Sequence, residues 1–182
     1  MPTLRDSILL QFASVREALA RATWALLNVD SQLAEGVISA DEEFDRQTAA
    51  LEEVIWARIE AGPSEPATLR HLVSVLLILP ELERSADLAE HIAQRARTSL
   101  GGSMSPASRG IVQRMSEVAI EMWGAATSAY ADRSNRDDDL DEADEELDIL
   151  RDRLTTEVAR GRMEPPIAAQ VTLLGRFYER LG

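Results

Sequence analysis

Apolar residues recur every three to four positions through almost the whole chain, the spacing of one buried helical face, and no stretch offers a convincing two-residue strand alternation. A first helix is predicted from about Thr3 to Leu27, closed by Asn28. Asp30 can cap a short helix over SQLAEGVI. Ser39 then opens S-A-D-E, a capping box in which Ser39 and Glu42 satisfy each other's free backbone N–H groups, and a long helix follows to Ala61. It stops at GPSEP, residues 62–66, where Gly62 can take the left-handed C-terminal conformation and Pro66 the first turn of the next helix. That third helix runs to about Ser99, with Pro80 inside it expected to kink the rod. GGSMSP, residues 101–106, reads as a linker.

After the linker the pattern repeats. ADEEFD at 40–45 returns as ADEELD at 143–148, GPSEP at 62–66 as GRMEP at 161–165, and LER at 82–84 as YER at 178–180. Asp41 recurs 103 positions later as Asp144, Gly62 recurs 99 later as Gly161, and Glu83 recurs 96 later as Glu179. Each loss between copies is about one helical turn of roughly 3.6 residues, so both arms of the hairpin shorten while keeping their faces. The expected fold class is all-α, built as two tandem, pseudo-symmetric three-helix bundles: residues 1–100, a linker over 101–106, and residues 107–182 with an incomplete last helix. YERLG begins like the first copy's motif and stops short of its second acid, so the natural chain is expected to continue by at least another turn or two.

The acids follow the hairpins. In the first copy, Asp45 opposite Glu83 and Asp41 opposite Asp87 both centre the pairing on residue 64, inside GPSEP. In the second, Asp148 opposite Glu179 centres it inside GRMEP. A D-x-x-x-D stripe on one helix then confronts an E-x-x-x-D stripe on the next, with axes roughly 8–10 Å apart. Carboxylates at that spacing suit hard cations with oxygen coordination, whereas solvated helix starts also gather acids, because the helix dipole favours them in the first turn. Spacing leaves both readings open. The candidate metal ligands are Asp41, Asp45, Glu83, Asp87, Asp144, Asp148 and Glu179, with His91 extending the Glu83–Asp87 stripe. Trp24, Trp56 and Trp123 are expected to anchor the core, and Arg84 and Arg180 to answer acids on neighbouring helices.

Composition narrows the function classes. With no cysteine there are neither disulfides nor thiolate metal sites. A net charge of −13 argues against nucleic acid, whose binding rests on neutralising phosphates, and favours cations or a basic face on a protein partner. All 19 basic residues are arginine. The opening MPTLRDSILLQF carries an Asp inside its short apolar run, unlike a signal peptide, and no run approaches membrane-spanning length, so a cytoplasmic protein is expected.

ELERSAD followed by LAEHIA resembles the signature of PhoU-type phosphate signalling proteins, approximately LERIGD in each of two repeats, and WALLNVDSQLAEGVISADEEFD and VTLLGRFYERLG resemble that family's other hallmark segments. Departures are Ser85-Ala86 in place of Ile-Gly, Leu88 after the motif Asp, Thr68 where the family often has Asp, and Pro80. The resemblance implies two tandem three-helix bundles and a regulator rather than a catalyst. It implies a negative regulator of phosphate uptake and phosphate-starvation signalling, an adaptor between a phosphate ABC transporter ATPase and a sensor histidine kinase, reaching the membrane only through those partners. It also implies iron or zinc at the acidic motif pairs; the carboxylates themselves equally suit magnesium or calcium. Oligomeric state is left open, a homodimer included. The leading alternative is an all-α, Mg-dependent nucleotide pyrophosphohydrolase built on Glu42, Asp45, Glu83 and Asp87, against which stands the lack of any lysine or Gly-rich phosphate loop. A di-iron oxidase lacks its Glu-x-x-His, and a plain helical scaffold would tolerate Ala at every acid.

Overall fold

A computed structural model describes residues 3–62, 65–132, 134, 137–161 and 163–181. These form α1 (Leu4–Asn28), α2 (Ser31–Glu60), α3 (Pro66–Arg97), a single turn α4 (Leu100–Ser103), α5 (Pro106–Asp132), α6 (Asp137–Arg160) and α7 (Pro165–Glu179). No strand occurs among the described residues. Helices α1, α2 and α3 pack as one three-helix bundle and α5, α6 and α7 as a second, joined chiefly along α1 and α5. Among the described residues no helix is long and apolar enough to cross a membrane.

Local chemistry sets the helix ends. Thr3 and Asp6 form a reciprocal capping box at the start of α1. Val29 turns the chain in the left-handed conformation at φ 56°, with the Asp30 N–H donating to the Ala25 carbonyl at 2.9 Å. The Asp30 carboxylate then accepts from the Leu33 N–H at 2.9 Å and caps α2. Gly62, at φ 74°, closes α2 in a region that side chains rarely enter, and Pro66 opens α3. The turn centre expected at residue 64, and Arg162 in the second turn, lie outside the described residues.

Three expectations need correction. Ser39 caps nothing: it lies inside α2, which runs unbroken through both segments read as separate helices. The buried residues Ala34, Val37, Phe44, Thr48 and Ile55 form one helical stripe, and a break at Ser39 would interrupt it while exposing backbone groups. Gly36 is the weak point of that stretch, at a cost of about 1 kcal/mol relative to Ala, which the burial on either side outweighs. Trp24 and Trp56 are not core anchors, being 53% and 49% exposed, respectively. Among the described residues Arg84 pairs with no acid of a neighbouring helix but with Glu81 of its own, at 3.5 Å. Trp123 is buried, its ring 5.8 Å from that of Phe12. Pro80 sits in α3 without ending it; its missing N–H deprives the Leu76 carbonyl of one bond.

The segment at 101–106 is a packed corner. Gly101 lies so close to α1 that a Cβ would overlap the Leu26 carbonyl, and the Arg109 guanidinium donates to the carbonyls of Gly101, at 2.6 Å, and Leu27. The larger apolar cluster runs through both bundles, from Leu19 and Leu26 of α1 through Ile92 of α3 to Met115, Leu154 and Leu174. At its centre Tyr178 of α7 is fully buried, its hydroxyl 2.6 Å from that of Thr23 of α1, which also accepts from Ser116 of α5 at 3.0 Å.

Candidate metal centre

The α2–α3 hairpin carries the first acidic face. Below that face Phe44, Leu82 and Ala86 are buried, which holds the two helices together while leaving the adjoining stripe toward solvent. Asp41 and Asp45, four residues apart, share one side of α2, and the antiparallel return of α3 brings Asp87 beside them. One carboxylate oxygen from each of Asp41, Asp45 and Asp87 lies within 4.8 Å of the other two. Two full charges at such a distance repel by about 1 kcal/mol in water and about 3–4 at the effective dielectric near a protein surface, so this is a costly arrangement without a counter-ion.

The titration of these groups records that cost. Burial pushes the Asp41 carboxyl up to about 6, with repulsion from Asp45, Asp87, Glu90 and Glu83 adding to it. Asp41 also borders a cleft lined by Val37, Phe44 and Ala86. Glu83 and Asp87 are likewise raised, each by burial first and by Asp45 next, and His91 partly offsets the rise at Asp87.

Of the seven residues expected as ligands, the structure therefore gathers Asp41, Asp45 and Asp87. Glu83 stands close enough to interact with all three but outside the group. Asp144, Asp148 and Glu179 are not gathered in this way among the described residues. Asp148 instead accepts from Arg151 at 3.5 Å, while Asp144 and Glu179 border a separate cleft. His91 turns aside, its Nδ1 3.3 Å from Glu90 and its ring edge-on to Phe177 at 5.4 Å. Sequence reasoning missed Glu90, half-buried and held by Gln94 at 2.9 Å, which adds to the negative field on Asp41. Its place three residues after Asp87 was the available signal.

The donor set fits a hard cation: three carboxylates, no thiol, and no imidazole in the group. Asp41, Asp45 and Asp87 would hold such an ion, which would supply the charge that relieves their repulsion.

Comparison with known proteins gives the lineage. A family model described as PhoU domain matches residues 9–96. The phosphate-specific transport system accessory protein PhoU homolog 1 of Mycobacterium leprae is 31% identical over 167 residues, spanning 90% of this chain and 75% of that protein. The chain belongs to the PhoU family. PhoU homolog 2 of Mycobacterium tuberculosis is 32% identical, spanning 90% of this PhoU-family chain and 78% of its own length. A crystal structure of PhoU from Pseudomonas aeruginosa superposes with a TM-score of 0.85 at 25% identity, over 98% of this chain and 88% of that one. The phosphate transport system regulatory protein PhoU from Streptococcus pneumoniae shares the fold, with a TM-score of 0.87 at 22% identity over 98% of this chain and 86% of that one.

Proposed function

We propose that this PhoU-family chain is a cytoplasmic, non-catalytic negative regulator of phosphate uptake and phosphate-starvation signalling. It acts as an adaptor between a phosphate ABC transporter ATPase and a sensor histidine kinase, with the Asp41–Asp45–Asp87 face loaded by a metal ion. The observation that carries the metal part is the convergence of three carboxylate oxygens within 4.8 Å on a solvent-facing hairpin. The regulatory part is supported by the relatives' names, which describe accessory and regulatory proteins of phosphate transport. A chain of net charge −13 is suited to basic partner surfaces, and biasing a partner toward its inactive state requires tighter binding to that state.

Two experiments separate these parts. Elemental analysis of the purified protein beside an Asp41→Ala/Asp87→Ala variant should show metal retained by the first and lost from the second; equal content removes the site but leaves the adaptor reading standing. A strain deleted for the chain should express its phosphate-starvation genes in high phosphate. Unchanged expression, together with no phosphate-dependent capture of the transporter ATPase or kinase, refutes the regulator.

A further inference from the structure

A lone apolar residue on a protein surface needs no explanation, but a contiguous set of them does. Among the described residues ten large apolar side chains stand in solvent, and five of these, Val54, Trp56, Leu69, Val73 and Leu77, lie on the half of the α2–α3 hairpin nearer its turn. On α3, Leu69, Val73, Leu76, Pro80, Glu83 and Asp87 follow one another at steps of four, three, four, three and four, so they share one helical stripe. On α2, Asp45, Glu52 and Trp56 stand at steps of seven and four and form another.

The two stripes border one groove, made by α2 and α3 alone. Burial first, and then the charges of Asp45, Asp87 and Glu52, raise the Glu83 carboxyl, so Glu52 and Glu83 act on each other from opposite helices. The Trp56 indole N–H donates to Glu52 at 3.2 Å and carries the groove on toward the turn. The groove is therefore acidic toward the middle of the hairpin and apolar toward its turn, with about 16 Å between the levels of Asp45 and Trp56 at 1.5 Å per residue. Neither stripe contains a basic residue. The arginines that adjoin Asp45 and Glu83 in sequence, Arg46 and Arg84, are held by Glu43 and Glu81 of their own helices. That charge pattern chooses among the occupants of an apolar face. A second copy of the chain would bring the same two stripes, with acids and no cation, and an anionic lipid surface would be repelled. A helix with apolar residues at one end of a face and basic residues at the other matches both halves of the groove.

We infer that the outer α2–α3 groove receives an amphipathic helix of a partner protein, its apolar side chains on Trp56, Leu69 and Val73 and its arginine or lysine side chains on Glu52 and Glu83. The inference gives the adaptor reading a surface and rests on that reading only for the partner's role. It stands apart from the metal reading, because none of these five residues is among the three gathered carboxylates. The acids steer the basic end of the helix, and the apolar end supplies the buried contact.

The test is fluorescence anisotropy, in chelator, with a labelled and capped alanine-based helical peptide of about 18 residues, long enough to span the groove. One half of its face carries leucines at helical spacing and the other half two arginines; control peptides replace the arginines by citrulline or the leucines by serine. The first peptide should bind saturably and each control about tenfold more weakly or worse. Trp56→Ala should weaken the first peptide about thirtyfold, as at an aromatic anchor, whereas Trp24→Ala, equally exposed but on α1, should leave it unchanged. The double variant Glu52→Gln/Glu83→Gln should weaken the arginine peptide about tenfold and leave the citrulline peptide unaffected. No saturable binding, equal affinity for the arginine and citrulline peptides, or indifference to Trp56→Ala overturns the site. A dimer in sedimentation that Trp56→Ala dissociates makes the occupant a second copy and overturns the partner assignment, as does binding to anionic phosphatidylserine vesicles that Trp56→Ala abolishes. Should Trp56→Ala fail to fold by circular dichroism, Val73→Ser must show the loss instead, and unaltered affinity there overturns the proposal. Failure with the peptides leaves the adaptor reading to the deletion strain, and an unaltered deletion strain leaves the peptide result standing.

Discussion

Replacing Asp41 by Asn removes one charge from the three-carboxylate group while keeping side-chain size and hydrogen-bonding capacity. Asp41 titrates at about 6 in the folded protein against an ordinary 3.8, a difference of about two units, and each unit corresponds to about 1.4 kcal/mol between protonation states. The side chain is only half-buried, so solvent screening reduces the upper figure of about 3 kcal/mol to about 1. Its folded value lies above its unfolded one, so the folded state holds the extra proton between about pH 4 and pH 6. The stability contributed by this extra proton is therefore full below the window and is lost as pH rises through it. Near pH 7.5, in chelator, Asp41→Asn should be more stable by about 1 kcal/mol, or about 2–4 °C in Tm for a chain of this size. Near pH 4 the advantage should vanish, because wild-type Asp41 is already neutral there. Adding divalent cation at pH 7.5 should reverse the order, stabilising the wild type and not the variant. Thermal unfolding followed by circular dichroism across this pH range reads all three outcomes. A gain at pH 4 equal to that at pH 7.5, or destabilisation at both, would refute the account of repulsion and burial.

Other perturbations test the packing. Tyr178→Phe removes the hydroxyl that meets Thr23 at 2.6 Å in the buried seam between the bundles, and should cost about 1–2 kcal/mol in urea unfolding. Gly101→Ala places a methyl group on the Leu26 carbonyl, so it should cost about 3 kcal/mol, read as a lower urea midpoint, whereas Gly110→Ala, with open space at its Cβ, should be neutral or stabilising. Arg114→Ala breaks a two-pronged contact with Glu146 at 2.7 and 2.9 Å, yet both side chains are about two-fifths exposed, so the loss should stay below about 1 kcal/mol by the same assay.

Much of this molecule could be read from local chemistry. The Asp30 cap, Gly62 and Pro66 stand where their side chains or missing Cβ do the same work in any chain, and counting outward from the α2–α3 turn brought Asp41 level with Asp87. Ser39 was misread because capping-box letters act only where the chain already breaks, and the continuous stripe from Ala34 to Ile55 keeps it helical. Trp24 and Trp56 were misplaced since large apolar residues prefer burial only on average. Trp56 settles on the surface, with its indole N–H donating to Glu52 at 3.2 Å. The meeting of Tyr178 with Thr23, and of Thr23 with Ser116, was beyond the sequence altogether: it joins α7 to α1 and α5, a contact that no local pattern encodes.

The two copies of the acidic motif differ in what surrounds them, and one substitution accounts for much of it. Counting from the motif, Thr48 in the first copy corresponds to Arg151 in the second, since Asp41 and Asp144 stand the same 103 positions apart. Thr48 is buried and turns its hydroxyl to the Phe44 carbonyl at 3.1 Å, so it brings no charge to Asp45. Arg151 lies 3.5 Å from Asp148 and 3.3 Å from Asp152, supplying a cation from within the helix. Arg114, from α5, pairs with Glu146 at 2.7 Å, and the counterpart Glu43 pairs with Arg46, one turn along its own helix, at 2.6 Å. Arginine thus meets Asp148 in the second acidic stripe, while among the described residues none pairs with Asp41, Asp45 or Asp87. A face whose charge is already balanced has little to gain from an ion, whereas one left repelling itself across 4.8 Å gains the whole of the relief. The metal reading proposed above is therefore confined to the first copy, where among the described residues no arginine pairs with the three gathered carboxylates.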